Sequence, residues 1–190
     1  MEVLSKTTRS VFGICLVLFL LQVAKFTCQS VSSNFVFNYL HNSEIDTALH
    51  DLSNRFPHLS KVFSIGHSAN GTAILGIQIS DQILTTEPGE PSFKLVANIH
   101  GNEPVGRQMI LYFAEHLLQN YEHGITSDIV DNTNIYLLPS INPDAFDASS
   151  EGDCDSFDGL LNANGVDLNS DFHLLSNEGN VKVQSETEVC

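Results

Sequence analysis

His100 and Glu103 stand three residues apart in the run Asn-Ile-His-Gly-Asn-Glu-Pro at 98–104, and an imidazole and a carboxylate at that spacing can close on one divalent cation. Imidazole nitrogen and carboxylate oxygen both bind zinc at about 2.0 to 2.2 Å. Two ligands do not complete a catalytic zinc site, which takes a third from the protein and leaves a further position for water. On spacing alone the same residues also serve as a turn histidine followed by a helix start, so the surrounding elements decide how the pair is read.

Those elements place the pair at a strand-to-helix junction. Segment 93–99 is apolar enough to be a strand buried on both faces, and 104–121 carries Ile110, Phe113, Ala114, Leu117 and Leu118 at helical spacing behind a proline suited to the first turn. In α/β proteins such a junction opens into the crevice at the carboxyl ends of the strands. Upstream, Ile45, Leu49, Leu52 and Phe56 predict a helix with Ser43 as N-cap and Pro57 as stop. Segments 61–65 and 74–79 read as a hairpin around the turn 68–71, 87–91 as a surface loop, and 135–141 as a fourth strand. Strands, helix and strand in this order predict an α/β sheet.

Charge and composition narrow the classes. The chain has 190 residues with 8 Lys plus Arg against 23 Asp plus Glu, a formal charge of −15. A nucleic-acid binder needs clustered Lys and Arg to neutralise phosphates, so that class is excluded. With 42% hydrophobic and 16% charged residues the chain can bury a core and is not a disordered acidic tail. Lys6 and Arg9 precede a short apolar run, 11–23, which is the pattern of a secretory signal peptide ending near residue 29. The expected organisation is therefore a signal over 1–29 and one domain over 30–190, secreted to the extracellular space with no stable membrane anchor. Cys15 leaves with the signal, Cys28 sits at its edge, and Cys154 and Cys190 remain, able to pair in an oxidising compartment only if their Cα atoms come within bridging range. Asn70-Gly71-Thr72 is a glycosylation acceptor in a turn context. The acidic residues Asp144, Asp147, Glu151, Asp153, Asp155 and Asp158 fail the calcium-loop pattern and read as a solvated loop.

The run 98–112, Asn-Ile-His-Gly-Asn-Glu-Pro-Val-Gly-Arg-Gln-Met-Ile-Leu-Tyr, resembles the first zinc-ligand segment of the zinc metallocarboxypeptidases, specifically the regulatory type typified by carboxypeptidases D, E, M and N. The resemblance continues in Ser-Ile-Gly-His-Ser-Ala-Asn-Gly at 64–71, Leu-Leu-Pro-Ser-Ile-Asn-Pro-Asp-Ala-Phe at 137–146 and Asn-Ala-Asn-Gly-Val-Asp-Leu-Asn at 162–169, in family order. It implies a mixed β-sheet with helices on both faces, of which this chain holds the N-terminal part, and zinc-dependent removal of C-terminal residues from peptides. By the same resemblance His100 and Glu103 are zinc ligands and Asn169 binds the substrate carboxylate. Partners are then peptide or protein C-termini, with the acidic surplus favouring basic ones.

The departures from the family pattern fall on function. The family's Asp-Leu-Asn-Arg-Asn-Phe-Pro stands here as Asp-Leu-Asn-Ser-Asp-Phe-His at 167–173, so Ser170 replaces the arginine that clamps the substrate carboxylate. Asp171 beside it is expected to repel that carboxylate. Leu160 stands where the family has the arginine that stabilises the oxyanion, and no arginine follows Arg107 anywhere in the chain. The resemblance puts the second zinc histidine and the general-base glutamate beyond Cys190, so no catalytic residue is assigned, and weak zinc binding with impaired hydrolysis is expected. His173 occupies a family proline position and reads as an exposed loop histidine; His116 and His123 read as solvated. A non-catalytic pseudo-peptidase that binds peptides or proteins is the alternative. An aspartoacylase-like deacylase, with a similar His-x-x-Glu site, is a more distant one.

Overall fold

The computed structural model describes residues 38–85, 87–153, 155–172 and 184–188. The expected signal segment 1–29, Cys154, Cys190 and His173 lie outside the described residues. Helix α1 (Asn42–Arg55) is followed by strands β1 (Ser60–His67), β2 (Ala73–Ile79) and β3 (Ser92–Val96). Helix α2 (Pro104–Asn120) and the short α3 (Ser127–Val130) lead to β4 (Asn134–Leu138) and α4 (Pro143–Ala148). A 3₁₀ turn at Leu168–Ser170 and the one-turn α5 (Ser185–Glu188) close the described part.

The strands form one mixed sheet in the order β1-β2-β4-β3. β1 and β2 pair antiparallel as a hairpin, β2 pairs antiparallel with β4, and β3 runs parallel to β4. Register puts Ile77 opposite Leu137 and Ile79 opposite Ile135, all of them at most 1% exposed. The apolar stripes of α1 (Ile45, Leu49, Leu52) and of α2 (Ile110, Leu111, Ala114, Leu117, Leu118) supply the buried surface that packs on them. A second cluster, Ile74, Leu138, Ile141 and Leu168, collects under Phe63, Ile65, Val96 and Ile99 and ties the 3₁₀ turn to the sheet. Among the described residues no helix is long and apolar enough to cross a membrane.

Three local expectations are corrected. The N-cap of α1 is His41 rather than Ser43, because the Glu44 carboxylate reaches back to accept from the His41 backbone N–H at 2.7 Å and starts the helix two residues earlier. β3 is shorter than 93–99 and is not buried on both faces. It pairs only with β4 among the described strands, which leaves Phe93 47% and Leu95 37% exposed. It ends at Val96 because Asn98 turns the chain with a φ of 56°. β4 likewise stops at Leu138, and the chain past it bends into α4.

Parallel pairing of β3 with β4 brings their carboxyl ends to the same edge. The loop 97–103 leaves one, the segment 139–142 leaves the other, and the two are stitched by Ala97 N–H to Leu138 O at 3.1 Å and Ile141 N–H to Ala97 O at 3.3 Å. This edge carries the candidate site.

Candidate metal site

The loop between β3 and α2 is held from both sides. Asn142, fully buried at the start of α4, donates from Nδ2 to Ile99 O at 2.8 Å. Gly101 presses against the 145–146 peptide so closely that a Cβ there would lie 2.1 Å from Ala145 C and from Phe146 N. Its own N–H donates to Gly159 O at 2.6 Å, and the Asn102 N–H shares that acceptor at 3.4 Å. Glu103 N–H closes the turn on His100 O at 3.1 Å, after which Pro104 opens α2 in the first turn, where no backbone N–H is needed.

This scaffold brings the two sequence candidates together. His100 Nδ1 lies 3.4 Å from Glu103 Oε1, and His100 Nε2 lies 3.1 Å from Asp167 Oδ1. Asp167 also accepts from the Asn169 backbone N–H at 2.9 Å and from Ser170 Oγ at 3.1 Å. The hydrogen bond from His100, joined by these two, holds the Asp167 carboxyl below the usual aspartate range, so it is a carboxylate that accepts the Nε2 proton. With that proton assigned to Nε2, the Nδ1 lone pair faces Glu103. Two ligand atoms each about 2.1 Å from a tetrahedral zinc stand about 3.4 Å apart, the separation seen here. The His100 side chain is 18% exposed and that of Glu103 71%, so a cation reaches the pair from solvent. The donor set therefore fits zinc, with Asp167 as the carboxylate that orients the histidine. Among the described residues no third His, Cys, Asp or Glu joins this pair at ligand distance. The only such trio among the described residues, Asp81, Glu87 and Glu90, lies in the loop region after β2.

The remaining candidates are distributed around the pair. Asn169 is exposed on the 3₁₀ turn next to Asp167. Leu160 follows Gly159, whose carbonyl holds the metal loop, and Ser170 donates its hydroxyl to Asp167 Oδ2. Asn70, the expected glycan acceptor, is exposed in the hairpin turn, with Gly71 at a φ of 88°. His116 and His123 are exposed, His116 beside Asn120 Nδ2 at 3.2 Å.

Two acidic residues are corrected. Asp171 does not face a substrate: it is 6% exposed and accepts from Gln184 N–H at 2.8 Å and from the Thr187 hydroxyl, anchoring α5. Asp144 is not part of a solvated loop. It is 8% exposed and gathers the hairpin turn, accepting from Ser68 Oγ at 2.8 Å, Asn70 N–H at 2.9 Å and Thr72 Oγ1 at 3.2 Å. The others in that acidic run that are described, Asp147, Glu151, Asp153, Asp155 and Asp158, are exposed.

Sequence reasoning passed over Asn98 and Arg107. Arg107 is 1% exposed, donates to Asn42 Oδ1 at 2.8 Å and Leu40 O at 2.9 Å, and stacks its guanidinium 3.7 Å from the Phe146 ring centroid. Burial pushes its pKa down to about 10, which still leaves it charged at neutral pH. An arginine inside an otherwise apolar helical stripe is the signal that could have marked it.

The family model for zinc carboxypeptidase matches residues 45–189. The chain belongs to the zinc carboxypeptidase family. Human carboxypeptidase D is 39% identical over 137 residues, covering 72% of this chain and 10% of that protein. Mouse carboxypeptidase M is 32% identical over 152 residues, covering 80% of this chain and 34% of that protein. The zinc carboxypeptidase fold is seen in the carboxypeptidase A from Helicoverpa armigera, which superposes with a TM-score of 0.64 at 22% identity, over 93% of this chain and 47% of that one. The chain thus spans a tenth to about a third of these curated relatives' length.

Proposed function

We propose that this zinc carboxypeptidase family member is a secreted, zinc-binding chain that recognises peptide C-termini and hydrolyses them poorly. The observation that carries this reading is the disposition of His100, with Nδ1 3.4 Å from Glu103 Oε1 and Nε2 held at 3.1 Å by Asp167. His100 and Glu103 would hold the metal, which when bound supplies polarisation of a peptide carbonyl and activation of water. Asp167 keeps the Nε2 proton in place and so keeps the Nδ1 lone pair on the metal side. Asn169, exposed beside it, offers an amide donor to a substrate carboxylate.

Weak hydrolysis is supported by the side chains at the two former arginine positions. Leu160 has no donor for a developing oxyanion, and the Ser170 hydroxyl is spent on Asp167 at 3.1 Å. Loss of one such donor typically costs about 100-fold or more in rate. The −15 charge favours basic peptides through long-range attraction. Secretion is supported by Lys6 and Arg9 ahead of the apolar run 11–23, and a glycan on Asn70 by its exposed turn.

The test is metal content of the purified chain together with release of C-terminal Arg or Lys from peptides. Expected are chelator-removable zinc and release at least ~100-fold slower than a family enzyme assayed alongside. Release at a comparable rate overturns the second half of the reading, and failure to take up zinc overturns the first. Leu160 and Ser170 also favour a second reading, a purely non-catalytic peptide binder, which the same assay separates: peptide binding with no chelator-sensitive release at all.

A further inference from the structure

Asn98 is the only non-glycine residue among those described with a positive φ, 56°, and it is 5% exposed. Asparagine tolerates this left-handed region better than most residues, but burial there calls for a use of its side chain. Its Nδ2 donates to His100 O at 2.8 Å, Gly101 O at 3.1 Å and Glu103 O at 3.3 Å. One amide therefore grips the backbone of both metal-ligand candidates and of the glycine between them. Its Oδ1 accepts from Ser140 Oγ at 2.7 Å and from Arg107 Nη1 at 3.5 Å. Since a guanidinium only donates, Arg107 fixes which end of the amide is oxygen.

The consequence is a loop pinned on two sides: by this amide within, and by the contact of Gly101 with the 145–146 peptide without. A 3.4 Å separation between an imidazole nitrogen and a carboxylate oxygen depends on the directions in which residues 100 and 103 leave the backbone. Both directions are set by carbonyl groups that share one donor. We propose that Asn98 is a positioning residue for the metal pair: its carboxamide, oriented by Ser140 and Arg107, sets the backbone of His100 and Glu103 so that Nδ1 and Oε1 converge on one ion. It touches neither the ion nor a substrate. The inference rests on the zinc-binding reading above.

The experiment titrates cobalt(II) and then zinc into the whole chain, with the cobalt absorption spectrum as geometric signature and circular dichroism as a check on folding. Asn98→Gly keeps the left-handed backbone and removes the amide; Ser140→Ala keeps the amide and removes the hydroxyl that orients it. If Asn98 positions the pair, Asn98→Gly lowers metal affinity about 10- to 100-fold, as loss of groups behind metal ligands does, and changes the cobalt spectrum. Ser140→Ala moves both in the same direction by a smaller factor. A folded Asn98→Gly that binds within about twofold of the parent overturns the inference and leaves the zinc reading standing. If Asn98→Gly does not fold, Ser140→Ala decides: lowered affinity with a shifted spectrum supports the proposal, parent-like binding overturns it. A parent chain that binds cobalt no better than His100→Ala overturns the zinc reading and this inference together.

Discussion

Gly101→Ala is the substitution the structure speaks to most sharply. The added methyl would lie 2.1 Å from Ala145 C, 2.1 Å from Phe146 N and 2.4 Å from Ala145 O, all backbone atoms with no rotamer by which to retreat. Ordinary carbon contacts begin near about 3.5 Å, so one of the two segments must move by more than about 1 Å. Moving the 97–103 loop strains the 2.6 Å bond from Gly101 N–H to Gly159 O and the Asn142 bond to Ile99 O. Overpacking costs about 1 to 3 kcal/mol, and rigid neighbours on one side with two hydrogen bonds on the other place this case at the upper end, about 3 kcal/mol. With a urea dependence of about 1 to 3 kcal/mol per molar, the unfolding midpoint should fall by about 1 M or more. Gly71→Ala is the control, because at a φ of 88° it meets no atom within 4 Å and pays only backbone strain, about 1 kcal/mol. Urea unfolding followed by circular dichroism compares them. Equal midpoints for Gly101→Ala and Gly71→Ala would refute the close-packing argument.

Three further outcomes follow from the same contacts. Asp167→Asn should lower zinc affinity about 10- to 100-fold in a competition titration, with little change in folding, since a half-buried carboxylate that orients a ligand is lost; unchanged affinity would remove Asp167 from the site. Asp144→Ala should destabilise by about 2 to 3 kcal/mol in urea unfolding, because Ser68, Asn70 and Thr72 lose one shared buried acceptor. Tyr121 donates to Asp131 at 2.8 Å, and that bond pushes the phenol up to about 12. Its folded value lies above the unfolded one of about 10, so the contribution is present below pH 10 and fades as pH rises toward 12. Tyr121→Phe should then remove a step near pH 12 from the tyrosine absorbance titration, and a titration that keeps that step contradicts the assignment.

What could be read from the residues depended on whether their signal was periodic or positional. The hairpin and α2 came through because alternation and helical spacing report burial directly, and the placement of His100 and Glu103 between β3 and α2 because a strand-to-helix junction is legible on either side of them. β3 misled because an apolar run says that a strand can be buried, not that neighbours exist on both sides; Phe93 and Leu95 stand partly exposed at the edge of the described sheet. Asp144 and Asp171 misled for a different reason. Composition assigned Asp144 to solvent and the family pattern set Asp171 facing a substrate carboxylate, whereas each is buried against donors that lie 13 to 76 residues away in the chain. The Asn98 clamp was invisible because it acts through backbone carbonyls of its own loop, which no residue type announces.

In the proposed site His100 presents Nδ1 to the metal while Asp167 retains the proton on Nε2. The most direct measurement of this arrangement is a zinc titration followed by the imidazole nitrogen resonances of His100. The Nδ1 resonance should shift and saturate as zinc is added, while Nε2 stays protonated, and Glu103→Gln should weaken the response. A zinc-insensitive Nδ1, or a response carried by Nε2, would contradict it.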